Sequence, residues 1–85
     1  MYAIIAEAKI QKKIAHLDPP TRERVIHAID GLATNPRPPG KKIKHFHGIE
    51  HGYRLRVGDV RVVYSVEDTM KQVFVVDVGY RGDIY

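Results

Sequence analysis

YRLRVGDVRVVY, running from Tyr53 to Tyr64, alternates charged and apolar side chains on either side of Gly58-Asp59. A Gly-Asp pair between two alternating runs predicts a two-residue β-hairpin. Pairing Val57 with Val60 sets Arg56 opposite Arg61, Leu55 opposite Val62 and Arg54 opposite Val63. Side chains in a strand alternate between faces. Arg54, Arg56 and Arg61 therefore share one face, and Tyr53, Leu55, Val57, Val60, Val62 and Tyr64 share the other. Like charges directly opposite on a ladder are destabilising, so a fold that keeps Arg56 against Arg61 presents them to a polyanion.

Outward from the hairpin, EDTMKQ at 67–72 reads as a polar turn and VFVVDVG at 73–79 as a third long strand. The near-continuous apolar character of that strand predicts a central position, covered on both faces. Before the hairpin, residues 35–52, NPRPPGKKIKHFHGIEHG, read as a loop that Ile43, Phe46 and Ile49 pin to the body. A loop of this length is more often functional or mobile than incidental.

The first third of the chain is helical in pattern. YAII at 2–5 is short enough for a strand. Ile10, Ile14 and Leu17 then recur at the spacing of one helix face. That helix must end near Asp18, since Pro19 disfavours helical geometry in the residue before it. Asp18 is the expected N-cap of a second helix, with Pro19 at its first position. Its apolar stripe is Val25, Ile26, Ile29, Leu32 and Ala33, and NPRPPG stops it. Two helices joined by so little form an antiparallel hairpin. The order β-α-α-β-β-β is an α+β fold, with the helical hairpin packed on one face of a small twisted antiparallel sheet. Residues 1–85 form a single domain of ordinary small size.

Composition narrows the chemistry. The 85 residues carry a net charge of +4 and no cysteine. The charge is uneven: residues 36–56 hold six Lys or Arg against one Asp or Glu, whereas residues 57–85 hold three against five. A clustered patch of this kind suits an anionic partner. Without cysteine there is no disulfide framework and no thiolate nucleophile. The start, MYAIIAEAKI, lacks the basic and long apolar regions of a secretory leader, and no run approaches the length of a membrane span. A soluble, cytoplasmic protein with no membrane partner is expected. Neither GxxxxGK[ST] nor GxGxxG is present, and no cofactor is expected. HFH at 45–47 with His51 lacks supporting carboxylates, so no metal site is expected. Phosphate chemistry remains. Arginine offers phosphate a planar fork of donors and stabilises charge on its equatorial oxygens. Continuing the last strand through Gly79 brings Arg81 and the terminal Tyr85 toward the arginine face.

The pattern HGYRLRVGDVRVVYSV followed by VVDVGYRGDIY resembles the RelE/ParE superfamily of type II toxins, and within it the RelE-like branch. The resemblance extends over nearly the whole chain. It implies a toxin that enters the ribosomal A site and cuts mRNA by attack of the 2′-hydroxyl on the scissile phosphate. It also implies a cognate antitoxin as partner. By motif position, Arg61 and Arg81 match the phosphate-stabilising arginines, and Tyr85 matches the tyrosine that stacks on substrate or assists proton transfer. Arg54 and Arg56 match two RNA-binding positions that are lysine in the best-known branch. Lysine can be tuned to act as a base and arginine cannot. Tyr85 is then the preferred proton-transfer group, with His51 and His47 as alternatives because histidine needs least tuning. Lys41, Lys42 and Lys44 extend the RNA-binding surface. The alternative function is that of the ParE branch, inhibition of DNA gyrase without nuclease activity.

Overall fold

A computed structural model describes residues 1–37 and 43–80. Strand β1 (Ala3–Ala6) leads into helices α1 (Ala8–Ala15) and α2 (Pro19–Thr34). Strands β2 (Ile43–Phe46), β3 (Gly52–Val57), β4 (Val60–Glu67) and β5 (Gln72–Tyr80) follow. They form one five-stranded sheet in the order β1-β5-β4-β3-β2. The fold is α+β, two helices on one sheet, as the sequence pattern requires.

The helical hairpin forms as its signals dictate. The Asp18 carboxylate accepts from the backbone N–H of Thr21 at 3.4 Å and from its hydroxyl at 2.9 Å, capping α2 immediately before Pro19. Ile10, Leu17, Val25, Ile29 and Leu32 bury against Leu55, Val60, Val62, Tyr64 and Val66 from the sheet. Burying a side chain of this size contributes about 1.5–3 kcal/mol. Ile26 does not join them: it is 39% exposed.

The hairpin register is the one its turn demands, with Val57 opposite Val60, Arg56 opposite Arg61, Leu55 opposite Val62 and Arg54 opposite Val63. Gly58 takes φ +60°, whereas Asp59 is not among the positive-φ residues. One left-handed residue at the first central position is the type II′ arrangement, for which glycine is suited.

Three features of the sheet differ from the sequence pattern. The sheet is mixed, not purely antiparallel, because β1 lies parallel to β5. The segment before the hairpin is not all loop: Ile43–Phe46 pairs antiparallel with β3 as an edge strand. IKHF escapes notice because four residues with two polar ones at the centre carry little periodicity. A short edge strand bearing lysine also discourages pairing with another chain. The third feature is β5, which lies between β1 and β4 and is not the central strand; β4 is. Its apolar run has another cause. Val63 opposes Asp77 and Tyr64 opposes Val75, which leaves Val76 as an extra residue, a β-bulge. Val73 and Val75 face the helices before the bulge, and Val78 faces them after it. No helix among the described residues is long and apolar enough to cross a membrane.

Candidate nucleic-acid interface

The sheet face turned away from the helices carries the arginines. Two ladder rows define it. Lys44 opposes Arg54, which opposes Val63, which opposes Asp77. Arg56 opposes Arg61, which opposes Gly79. Four cations thus sit on three adjacent strands spaced about 4.8 Å apart. Lys44 reaches this face because Ile43 turns inward onto the core. Arg56 and Lys44 are exposed, while Arg54 and Arg61 are half-buried. The face is not bare at its centre: Val63 is fully buried but stands outside the core cluster. Long arginine stems suit such cover, with the charged heads kept outward.

The carboxylate in the first row does not neutralise these cations. Asp77 accepts from the Lys13 ammonium at 2.6 Å and from the Val78 backbone N–H at 2.8 Å. Among the described residues, no ion pair joins Lys44, Arg54 or Arg56 to a carboxylate. Concentrated positive charge on a sheet surface is suited to holding a phosphodiester by paired, charge-assisted hydrogen bonds.

Not every expected group meets there. His47 and His51 lie in the turn between β2 and β3, at the opposite end of β3 from Arg56. Five residues of strand separate His51 from Arg56, about 17 Å at the usual rise. His51 is exposed, takes φ +54° and lies 3.4 Å from the Glu50 carboxylate. The structure therefore does not bring either histidine to the Arg56–Arg61 row. Lys41, Lys42, Arg81 and Tyr85 lie outside the described residues. Among the described residues, no three His, Asp or Glu side chains converge as a metal site would need.

A second arginine–tyrosine cluster, on the helix side, has no signal in the hairpin pattern. Arg37 donates to both Asp68 oxygens, at 3.2 and 2.7 Å, and its Nε donates to the Tyr53 hydroxyl at 2.8 Å. The Tyr2 hydroxyl donates to Asp68 at 2.6 Å. These donors hold the Asp68 carboxyl down at about 2, with the Arg37 bonds the largest cause. Tyr53 stacks on Tyr64 with ring centroids 5.6 Å apart, and His45 lies 4.9 Å from Tyr53. The buried Tyr64 hydroxyl donates to the Pro36 carbonyl at 2.8 Å, and burial pushes its pKa well above the usual phenol value. Tyr53 and Tyr64 are packing residues, as their place on the apolar face predicts. Three segments far apart in sequence, at residues 2, 36–37 and 68, are tied together here.

Comparison with known proteins agrees with this architecture. The family model for the ParE toxin of the type II toxin–antitoxin system parDE matches residues 6–85. The RelE chain of the archaeal RelE–RelB complex from Pyrococcus horikoshii OT3 superposes with a TM-score of 0.83 at 27% identity, covering 98% of each chain. The intact E. coli RelBE toxin–antitoxin complex gives 0.78 at 24% identity, over 94% of this chain and 96% of that one. The isolated E. coli RelE toxin gives 0.79 at 24% identity, over 100% and 92%. No curated protein sequence matches the chain. With a family model spanning all but its first five residues and the RelE arrangement of helices and strands beneath it, the chain belongs to the RelE/ParE superfamily of type II toxin–antitoxin toxins.

Proposed function

We propose that this toxin is a ribosome-dependent endoribonuclease that cuts mRNA in the ribosomal A site. The observation that carries the reading is the cationic sheet face: Arg56 held opposite Arg61, with Lys44 and Arg54 in the adjoining row. Like-charge pairing costs folding free energy, and a bound phosphodiester offsets that cost. In the reaction, the 2′-hydroxyl attacks the neighbouring phosphorus and the bond to the 5′-oxygen breaks. The fragments end in a 2′,3′-cyclic phosphate and a 5′-hydroxyl. Arg61, with Arg81 by motif position, stabilises the charge that builds on the phosphoryl oxygens, which is often the largest catalytic contribution. Tyr85 is the proposed proton-transfer group. Its usual pKa of about 10 must fall for it to act as a base, and neighbouring cations lower it. The distance of His47 and His51 from the arginine row supports Tyr85 over either. Arg54, Arg56 and Lys44, with Lys41 and Lys42, hold RNA. The solved complexes of RelE with RelB support a cognate antitoxin as partner.

A second reading has its own observation: the matching family model is that of ParE. Under it the protein inhibits DNA gyrase and does not cut RNA. Primer extension on a reporter mRNA after induction separates the two. Cuts within translated codons are expected. Intact mRNA together with altered plasmid supercoiling would transfer the assignment to gyrase.

A further inference from the structure

The arginine rows occupy part of their face, and the next row toward the other end of the strands differs in character. It consists of Ile5, Phe74, Ser65, Gly52 and Phe46, paired in that order across the sheet. At its β1 end, Ile5 and Phe74 stand side by side on neighbouring strands, each 36% exposed. Both border a cavity of about 310 Å³ at the sheet edge beside α1, lined also by Glu7, Lys9, Val76 and the core residues Ile10 and Val75. The Glu7 and Lys9 side chains are themselves largely exposed and 3.8 Å apart. Strand spacing and rise put Phe74 about 12 Å from Arg54 and about 15 Å from Arg61.

We propose that this cavity is a slot for a nucleobase of the same single-stranded RNA whose phosphates the arginine rows hold. The inference rests on the nuclease reading above and adds a base-binding position to that site. A nucleobase is apolar on its faces and hydrogen-bonding at its edge, and the slot matches both. The Phe74 ring and the Ile5 side chain offer an apolar surface for stacking. Lys9 can donate to a base carbonyl, and Glu7 can accept from an exocyclic amine. Single-strand binders combine a positive track for the backbone with aromatic platforms for bases. Here the Ile5–Phe74 wall of the slot lies on the face of the arginine rows, and a nucleotide neighbouring the gripped phosphate spans the gap between them. An apolar peptide anchor would fill the same cavity, but it would draw nothing from the cations alongside. Charge complementarity therefore favours a polyanion that carries flat rings.

Methyl and amide NMR of the full chain tests this at low salt, with a short oligoribonucleotide and an abasic strand of equal charge as probes. Base-bearing RNA is expected to move the Ile5 and Val76 methyl signals by ring currents, together with the backbone amides of Arg54, Arg56 and Arg61. The abasic strand should move only the arginine amides. Phe74→Ala should weaken binding of the base-bearing strand about tenfold and leave abasic binding unchanged; Phe74→Leu, which keeps apolar bulk, serves as the folding control. Equal affinity for both strands, or silent Ile5 and Val76 methyls while the arginine amides respond, overturns the slot and leaves the nuclease reading standing. Silence at the arginine amides with either strand also overturns the slot, while the nuclease reading falls only to intact mRNA in the primer-extension test. Movement of Ile5 and Val76 with an acidic apolar peptide but not with RNA assigns the cavity to a protein partner and also overturns the slot.

Discussion

Arg37 and Arg61 are the same residue type on opposite sides of one thin sheet, and their settings contrast. Arg37 is saturated by acceptors: both oxygens of Asp68 and the hydroxyl of Tyr53 take its N–H groups, and its guanidinium lies 5.5 Å from the Tyr53 ring centroid. Arg61 faces another arginine across the ladder and a glycine on its other side. An arginine surrounded by matched acceptors holds chain segments together. Under the proposed function, the row that sets like charges against each other meets the phosphates of RNA. Counting arginines in the sequence would merge the two groups, and only the strand register separates them.

The contrast can be broken most forcefully at Arg61. Arg61→Ala should reduce mRNA cleavage by about 10²–10³-fold, the usual cost of removing one preorganised charge-stabilising donor. Thermal stability should change little, because relief of the Arg56–Arg61 repulsion acts against the loss of the half-buried Arg61's own contacts. Primer extension paired with a melting curve reads both, and a stability loss matching the activity loss would make Arg61 structural. A smaller effect of opposite kind is expected on the helix side. Tyr64→Phe removes the hydroxyl that meets the Pro36 carbonyl and should cost about 1 kcal/mol of unfolding free energy, with cleavage per folded molecule unchanged. Denaturant titration measures this, and an unshifted midpoint would show that the bond contributes nothing net.

The gentlest test is acid. The folded Asp68 carboxyl titrates at about 2, below the ordinary aspartate value near 3.9. Its stabilising contribution is therefore complete above about pH 4 and is lost as pH falls toward 2. Asp68 is well exposed, so solvent screening keeps the effect small. Fluorescence of Tyr53 and Tyr64 between pH 4 and 2 should report the loosening, and Asp68→Asn should flatten that part of the profile. A profile unchanged by the substitution would remove the ion pair from the account.

Much of this fold is legible without coordinates because its strongest signals are local. Gly58-Asp59 sets the hairpin register, and Asp18 with Pro19 fixes where α2 begins. Arg54, Arg56 and Arg61 share a face by alternation once that register is known. What escaped reading depends on distant partners. Ile43–Phe46 is a strand only because β3 offers it a ladder. β1 pairs in parallel with a strand more than sixty residues later, which no local pattern encodes. The Arg37–Asp68–Tyr2 anchor joins the end of α2, the β4–β5 turn and the N-terminal segment, and each member looks like an ordinary surface residue by itself. Likewise, nothing in the spacing of the histidines reveals that a strand's length parts them from the arginines.

The unpaired residue in β5 has a further effect. Ahead of Val76, odd-numbered side chains of that strand point toward the helices; past it, even-numbered ones do. A lone insertion thus acts as a parity switch. Were Val76 to take a ladder mate in regular alternation, Val78 and Gly79 would exchange faces, stranding a valine among the guanidinium groups and leaving a hole beneath the helices. One amino acid with no ladder mate, and no chemistry of its own, governs which surface the end of the sheet is delivered to.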